Sequence, residues 1–260
     1  MAQSLPQDAG GHRLGRYVLF DAIARGGMAT IHFGRLSGPV GFSRTVAIKR
    51  LHANFATDPE FVAMFLDEAR LAARIRHPNV VPTLDVVATH GEVFIVLEYV
   101  AGESLAKLWR AHHDKGEIVP IPFSMAIMAH TLHGLHAAHE VTDEHGEPLG
   151  MVHRDVSPQN VIVGTDGIAR VLDFGVAKAA GRLQETGDSG ALKGKLAYMA
   201  PEQLTGRSVS RQTDIYAASV ILWELLTGKR LVDGDNDAQR AAKVLSAVET
   251  QESRAIDQKP

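Results

Sequence analysis

His153-Arg154-Asp155-Val156-Ser157-Pro158-Gln159-Asn160 is followed, thirteen residues after its last member, by Asp173-Phe174-Gly175. Asp155, Asn160 and Asp173 together offer two carboxylates and an amide. Those groups suit one chemistry. A first carboxylate orients a hydroxyl nucleophile. An amide oxygen and a second carboxylate hold Mg²⁺ against phosphate oxygens, because magnesium takes hard oxygen ligands. Three further pieces lie upstream, in order. The first is the turn Ile23-Ala24-Arg25-Gly26-Gly27-Met28-Ala29-Thr30-Ile31, whose backbone N–H groups can approach phosphates closely. The second is Val46-Ala47-Ile48-Lys49, where strand alternation puts Ala47 and Lys49 on one face and lets the ammonium sit beside phosphates. The third is Glu68, nineteen residues after Lys49, a carboxylate able to pair with that ammonium and aim it. Singly, each has a plainer reading as a hairpin, a strand lysine, a solvated helix residue or loop residues. Their joint appearance in this order leaves chance spacing far behind.

Composition narrows the setting. The chain has 260 residues, enough for one or two domains. Its 27 basic and 30 acidic residues give a formal charge of −3, too balanced for a nucleic-acid binder, whose affinity rests on clustered Lys and Arg. The absence of cysteine excludes disulfides, a thiol nucleophile and Cys-ligated zinc. No stretch has the ~18 consecutive apolar residues of a membrane helix. Met1–Arg16 is polar and Gly-rich, without the apolar centre of a signal peptide, so the expected location is cytoplasmic.

Patterning divides the chain in two. From Tyr17 to Val100 it reads mainly as strands broken by glycine: Tyr17–Phe20, Thr30–Arg35, Thr45–Lys49, Val80–Val87 and Val93–Val100. One helix interrupts them. Asp58 can cap it and Pro59 suits its first turn, while Phe61, Phe65, Ala69 and Ala72 give it an apolar face. Beyond Ala101 helical periodicity takes over, from Phe123 to Glu140, Asp214 to Thr227 and, more weakly, Ala238 to Val248, with a loop-rich middle over Val141–Gln203. The expected division is a flexible arm over 1–16, a small β-rich lobe over 17–100 and a larger helical lobe over 101–260. The hinge falls near Val100–Gly102, and clefts between lobes are common ligand sites.

The ordered set resembles the eukaryotic-type protein kinases, in particular bacterial Ser/Thr kinases. The match runs through the glycine loop, Val-Ala-Ile-Lys, His-Arg-Asp with Asn160 five residues on, Asp-Phe-Gly, and Ala200-Pro201-Glu202, and covers about Tyr17 to Val248. The resemblance implies an α+β, two-lobed fold that transfers the γ-phosphate of MgATP to Ser or Thr hydroxyls of proteins. Ile23, Ala24, Arg25, Gly26 and Gly27 would cover the phosphates. Lys49 would bind the α- and β-phosphates and pair with Glu68. Glu98 and Val100 would offer backbone groups to adenine, with Ile31, Ala47 and Ile162 around the ring. Asp155 would be the catalytic base, and Asn160 and Asp173 the Mg²⁺ ligands. Asp214 would brace the catalytic loop, and Arg154 would read a phosphorylated segment, with Thr186 and Ser189 as candidate phosphosites.

Four departures from the family pattern carry consequences. Ala24 and Ala29 replace two loop glycines; alanine costs roughly 1–2 kcal/mol wherever a positive φ is required. Ser157 stands where the family has a lysine that contacts the γ-phosphate, and Lys195 follows Gly194 where the family has threonine. The two side-chain types are exchanged, so Lys195 is expected to reach back and restore the charge. Finally, the family continues with further helices and an arginine that pairs with Glu202, whereas Glu249–Pro260 is polar with no apolar face. A fragment, a truncated product or a degenerate kinase is expected. Two rivals remain: a pseudokinase, binding nucleotide as a signalling or scaffolding module without turnover, and a small-molecule phosphotransferase, which Ala200-Pro201-Glu202 opposes. His130, His133, His136 and His139 recur every three residues. Each step drifts ~60° around a helix, so the four cannot share one metal.

Overall fold

The computed structural model describes residues 11–89, 92–174, 195–234, 236 and 238–246. Contacts group the chain into two units. One comprises the residues up to Ala73 with Pro82–Tyr99, the other Arg74–Val81 with the residues from Val100 onward.

The first unit is built on a six-stranded antiparallel sheet. In chain order its strands are β1 (His12–Leu14), β2 (Tyr17–Arg25), β3 (Ala29–Ser37), β4 (Ser43–Leu51), β5 (Thr83–Thr89) and β6 (Glu92–Glu98), and in space they run β1-β2-β3-β4-β6-β5. A short helix α1 (Ala53–Ala56) and a longer α2 (Pro59–Ala72) follow β4. Period-two alternation gives the sheet two apolar faces. Val46 and Ile48 of β4 join Leu14, Tyr17, Leu19, Phe94 and Val96 in one core cluster. Leu51 of β4 joins Ala29, Val93 and Ile95 in another, completed by Phe65 and Ala69 of α2. Lys49 has the parity of Leu51, so its side chain emerges on the α2 side.

The start of α2 is as its sequence suggests: the Asp58 carboxylate accepts the Glu60 N–H at 2.9 Å and Pro59 fills the first turn. Two boundaries differ. His12–Leu14, within the segment expected as a flexible arm, pairs with β2 and buries Leu14, so that expectation does not hold for these three residues. The strand expected from Val80 begins at Thr83. Val80 and Val81 instead belong to the second unit, where the Val81 N–H donates to the Val171 carbonyl at 3.0 Å. Pro82, having no N–H, separates the two pairings.

The β2–β3 hairpin closes with the Gly26 N–H donating to the Ala29 carbonyl at 2.9 Å. Positive φ among described non-glycine residues occurs only at Val40, Arg154 and Asp173. Ala24 and Ala29 therefore carry no left-handed strain, and the two alanines merely stiffen the hairpin.

The second unit contains β7 (Gly102–Ser104), α3 (Leu105–His113), α4 (Ile121–His139), β8 (Val161–Gly164), β9 (Ala169–Val171), α5 (Pro201–Leu204), α6 (Arg211–Thr227) and a helix over 238–246. Strands β7, β8 and β9 form a three-stranded antiparallel sheet. The interior of the unit draws on Met128, Leu135 and Ala138 of α4 and Ala217, Ile221 and Leu225 of α6. Gly134 lets α4 lie close to the Asn79 segment, since a Cβ there would stand 2.4 Å from the Asn79 carbonyl oxygen. That carbonyl accepts the Val171 N–H at 2.8 Å, and the Asn79 amide donates to the Ala169 carbonyl at 3.0 Å. Gly228, at φ 68°, ends α6 in the left-handed cap that glycine favours. The sequence reading did not anticipate α3 or the β7–β9 sheet, whose strands are three or four residues long.

Candidate active site

Within the first unit the strand lysine and the helix glutamate meet. Lys49 Nζ donates to Glu68 Oε1 at 3.2 Å, and the two side chains are 14% and 10% exposed. Nζ also lies 5.8 Å from the centroid of the Phe65 ring. This follows from parity and helix pitch: Phe65 and Glu68 lie three apart on α2, hence on neighbouring positions of one face. Ala47, buried, shares the strand face of Lys49, and Ile31 on β3 is the cross-strand partner of Lys49. Ile23, Ala24, Arg25, Gly26 and Gly27 are exposed along the hairpin, Ile23 at 51%. Glu98 ends β6; its N–H donates to the Pro82 carbonyl at 3.0 Å and its carboxylate pairs with Arg44 at 3.2 Å.

Within the second unit a buried carboxylate organises the catalytic-loop candidate. Asp214, on the first turn of α6, is fully buried. Its Oδ2 accepts the His153 N–H at 2.8 Å and lies 2.7 Å from His139 Nε2, while Oδ1 accepts the Arg154 N–H at 2.9 Å. Arg154 adopts φ 64° there. The left-handed geometry costs energy that the paired N–H groups offset.

His153 has no exposed surface and packs on the Phe174 ring at 4.7 Å. Burial pushes its pKa down, against the pull of nearby Asp214 and Asp155. A neutral ring suits its contacts: Nε2 lies 2.8 Å from the Leu172 carbonyl oxygen, and Nδ1 accepts the Asp155 N–H at 3.2 Å. The ring thus ties the Asp155 loop to the Asp173 stretch, as does the Leu172 N–H on the Asn160 carbonyl at 2.9 Å. A histidine buried neutral binds fewer protons folded than unfolded, so its contribution is complete above the unfolded value, near 6.5, and is lost as pH falls below it. Chemical denaturation between pH 7 and pH 5 should show a shallower loss of stability in His153→Gln than in the parent, by at most ~1.4 kcal/mol per pH unit.

Asn160 donates through Nδ2 to the Asp155 carbonyl at 2.8 Å and to Asp155 Oδ2 at 3.0 Å. Both amide hydrogens are used there, so Oδ1 is the acceptor that remains for a cation. Asp173, at φ 52°, adds a half-buried carboxylate. An amide oxygen and a carboxylate are the hard donors Mg²⁺ prefers, so these residues fit that ion. Lys195 Nζ donates to Asp155 Oδ2 at 2.5 Å. Ile162 lies on β8, opposite Ser104 and Arg170. Gly175, Thr186, Ser189 and Gly194 lie outside the described residues.

Some supporting residues were not anticipated. In sequence His139 is one of four spaced histidines, yet it is buried on Asp214. Its place on the α4 face of Leu135 and Ala138 was the available signal. Gln203 links two segments: Oε1 accepts the Ala200 N–H at 3.1 Å and Nε2 donates to the Arg154 carbonyl at 2.9 Å. Glu224, buried on α6, accepts the Tyr198 hydroxyl at 2.7 Å and pairs with Arg230 at 2.8 Å. Glu202, which the family resemblance pairs with an arginine, accepts the Thr213 hydroxyl at 2.6 Å.

Residues 27–259 match the protein kinase domain family, and the chain belongs to that family. It is 45% identical over 223 residues to the tyrosine-protein kinase MasK of Myxococcus xanthus, covering 86% of this chain and 34% of that protein. It is 36% identical over 225 residues to the probable serine/threonine-protein kinase pknA2 of Bifidobacterium longum, covering 85% of this chain and 28% of that protein. With the serine/threonine-protein kinase PrkC of Bacillus subtilis it shares 34% over 233 residues, 90% of this chain and 34% of the relative. The chain thus spans about a third of the length of these relatives. Among the described residues no helix is long and apolar enough to cross a membrane.

Proposed function

We propose that this chain transfers the γ-phosphoryl group of MgATP to Ser or Thr hydroxyls of proteins. The observation that carries the reading is the state of Asp155: its carboxylate is held by Asn160 and Lys195, in a loop braced by buried Asp214. A carboxylate so fixed can accept the proton of an incoming hydroxyl. The hydroxyl oxygen bonds to the γ-phosphorus, the bond from that phosphorus to the β,γ-bridging oxygen breaks, and ADP leaves with the electron pair. Asp155 takes the proton. Asn160 and Asp173 would hold Mg²⁺, which neutralises phosphate charge when bound. Lys49, aimed by Glu68, would bind the α- and β-phosphates. The hairpin over Ile23–Gly27 would cover them. Ile31, Ala47, Glu98, Val100 and Ile162 would receive the adenine. Positioning and electrostatics supply most of the rate in such a reaction.

The acceptor is the finer question. Two of the relatives above bear serine/threonine names and one a tyrosine name. Incubation with radiolabelled MgATP and a mixed protein substrate, followed by acid hydrolysis, separates them. Label on phosphoserine and phosphothreonine is expected. Label confined to phosphotyrosine would overturn the Ser/Thr assignment. Thermal stabilisation by MgATP with no label on protein would make the chain a pseudokinase.

A further inference from the structure

We infer that Lys195 supplies, from the turn ahead of α5, the positive charge that stabilises the reacting phosphoryl group beside Asp155. This inference rests on the phosphoryl-transfer reading above. The loop from Asp155 to Asn160 reads Asp-Val-Ser-Pro-Gln-Asn and brings no cation of its own. A carboxylate facing a phosphate is repelled by it, so the reaction needs a cation that touches both groups.

Ser157 does not fill that need. It is 1% exposed, and its hydroxyl oxygen has no hydrogen-bond partner among the described residues. Lys195 is placed to fill it. Its Nζ donates at 2.5 Å to the same Asp155 oxygen, Oδ2, that accepts from Asn160. An ammonium has three N–H donors, and one bond to Asp155 leaves two for phosphate oxygens. The side chain is a quarter exposed, so it is neither sealed away nor a free surface lysine.

The turn that presents it, Lys195–Tyr198, is itself anchored. Tyr198 is buried and its hydroxyl donates to Glu224 of α6 at 2.7 Å. Five residues further on, Gln203 joins the Ala200 N–H to the Arg154 carbonyl and so holds the turn against the catalytic loop. The ammonium is therefore positioned before the reaction, which is the condition for a donor to stabilise developing charge without reorganisation. Base and cation come from different segments, so they act together only while this anchoring holds.

The test reads binding as well as turnover. MgADP with aluminium fluoride mimics the group in flight, and MgADP alone serves as the reference. In Lys195→Ala the affinity for the mimic should fall by ~10²–10³, with MgADP affinity changed by no more than about threefold. kcat for protein phosphorylation should fall in step with the mimic. Lys195→Arg should recover part of the loss, and Ser157→Lys combined with Lys195→Thr most of it. If Lys195→Ala does not fold, Lys195→Gln replaces it. Unchanged affinity for the mimic in the folded variant overturns the inference. An equal loss for MgADP and the mimic also overturns it, because that marks structural support only. A parent that binds neither probe would instead remove the phosphoryl-transfer reading beneath it.

Discussion

Asp155→Asn is expected to lower kcat for protein phosphorylation by ~10²–10⁴ while leaving MgATP binding within a few-fold of the parent. The reason is chemical. Asparagine has the shape of aspartate but cannot accept the proton of the attacking hydroxyl. The loop should survive the change, because its local bonds use the Asp155 backbone: the N–H donates to His153 Nδ1 and the carbonyl accepts from Asn160. The contacts weakened are those to Oδ2, from Lys195 and Asn160, because a neutral amide replaces the carboxylate. Single-turnover label transfer, with nucleotide affinity measured separately, separates chemistry from binding. A variant retaining more than half the parental rate would remove Asp155 as the base.

Asp214→Ala should be the most damaging single change to stability in the second unit. It strips the partner from the His153 and Arg154 N–H groups and from His139 Nε2, all inside a region with no access to water at Asp214. Each buried donor left unsatisfied costs ~1–3 kcal/mol, so a total near 3 kcal/mol or above is expected. For a chain of this size that lowers the melting temperature by roughly 6–12 °C. Asp214→Asn keeps one acceptor oxygen and should fall between parent and alanine. Urea denaturation of the three proteins checks the order. If alanine and parent have the same midpoint, Asp214 does not brace the loop. Activity should fall alongside, since Arg154 holds its positive φ only while its N–H is tied.

The parts of the site legible in sequence were those set by local periodicity. Parity on β4 put Lys49 with Ala47, and the capped α2 carried Glu68 on its inner side; the 3.2 Å pair follows from those two regularities. The helix ending at Gly228 was likewise readable from its apolar spacing and glycine stop. What escaped was short or distant. The strands β7, β8 and β9 have too few residues for alternation to show, so they merged into an apparent loop. Helix α3, with Lys, Arg and two His among nine residues, looked polar although Leu105 is fully buried. His139, Gln203 and Glu224 gain their meaning from partners 75, 49 and 26 residues away in sequence, which no local pattern reports. The alanines in the hairpin posed a question that only φ angles could answer.

The loan of residues 74–81 to the second unit has a practical meaning for anyone dissecting the molecule. The polypeptide passes from one unit to the other three times, after Ala73, before Pro82 and after Tyr99. A single cut near Tyr99 therefore yields no clean half. The amino-terminal piece carries away Asn79, Val80 and Val81, whose partners Ala169 and Val171 stay behind. The remainder loses the backbone carbonyl against which Gly134 is fitted. Shuffling between relatives should thus exchange three junctions together, not one.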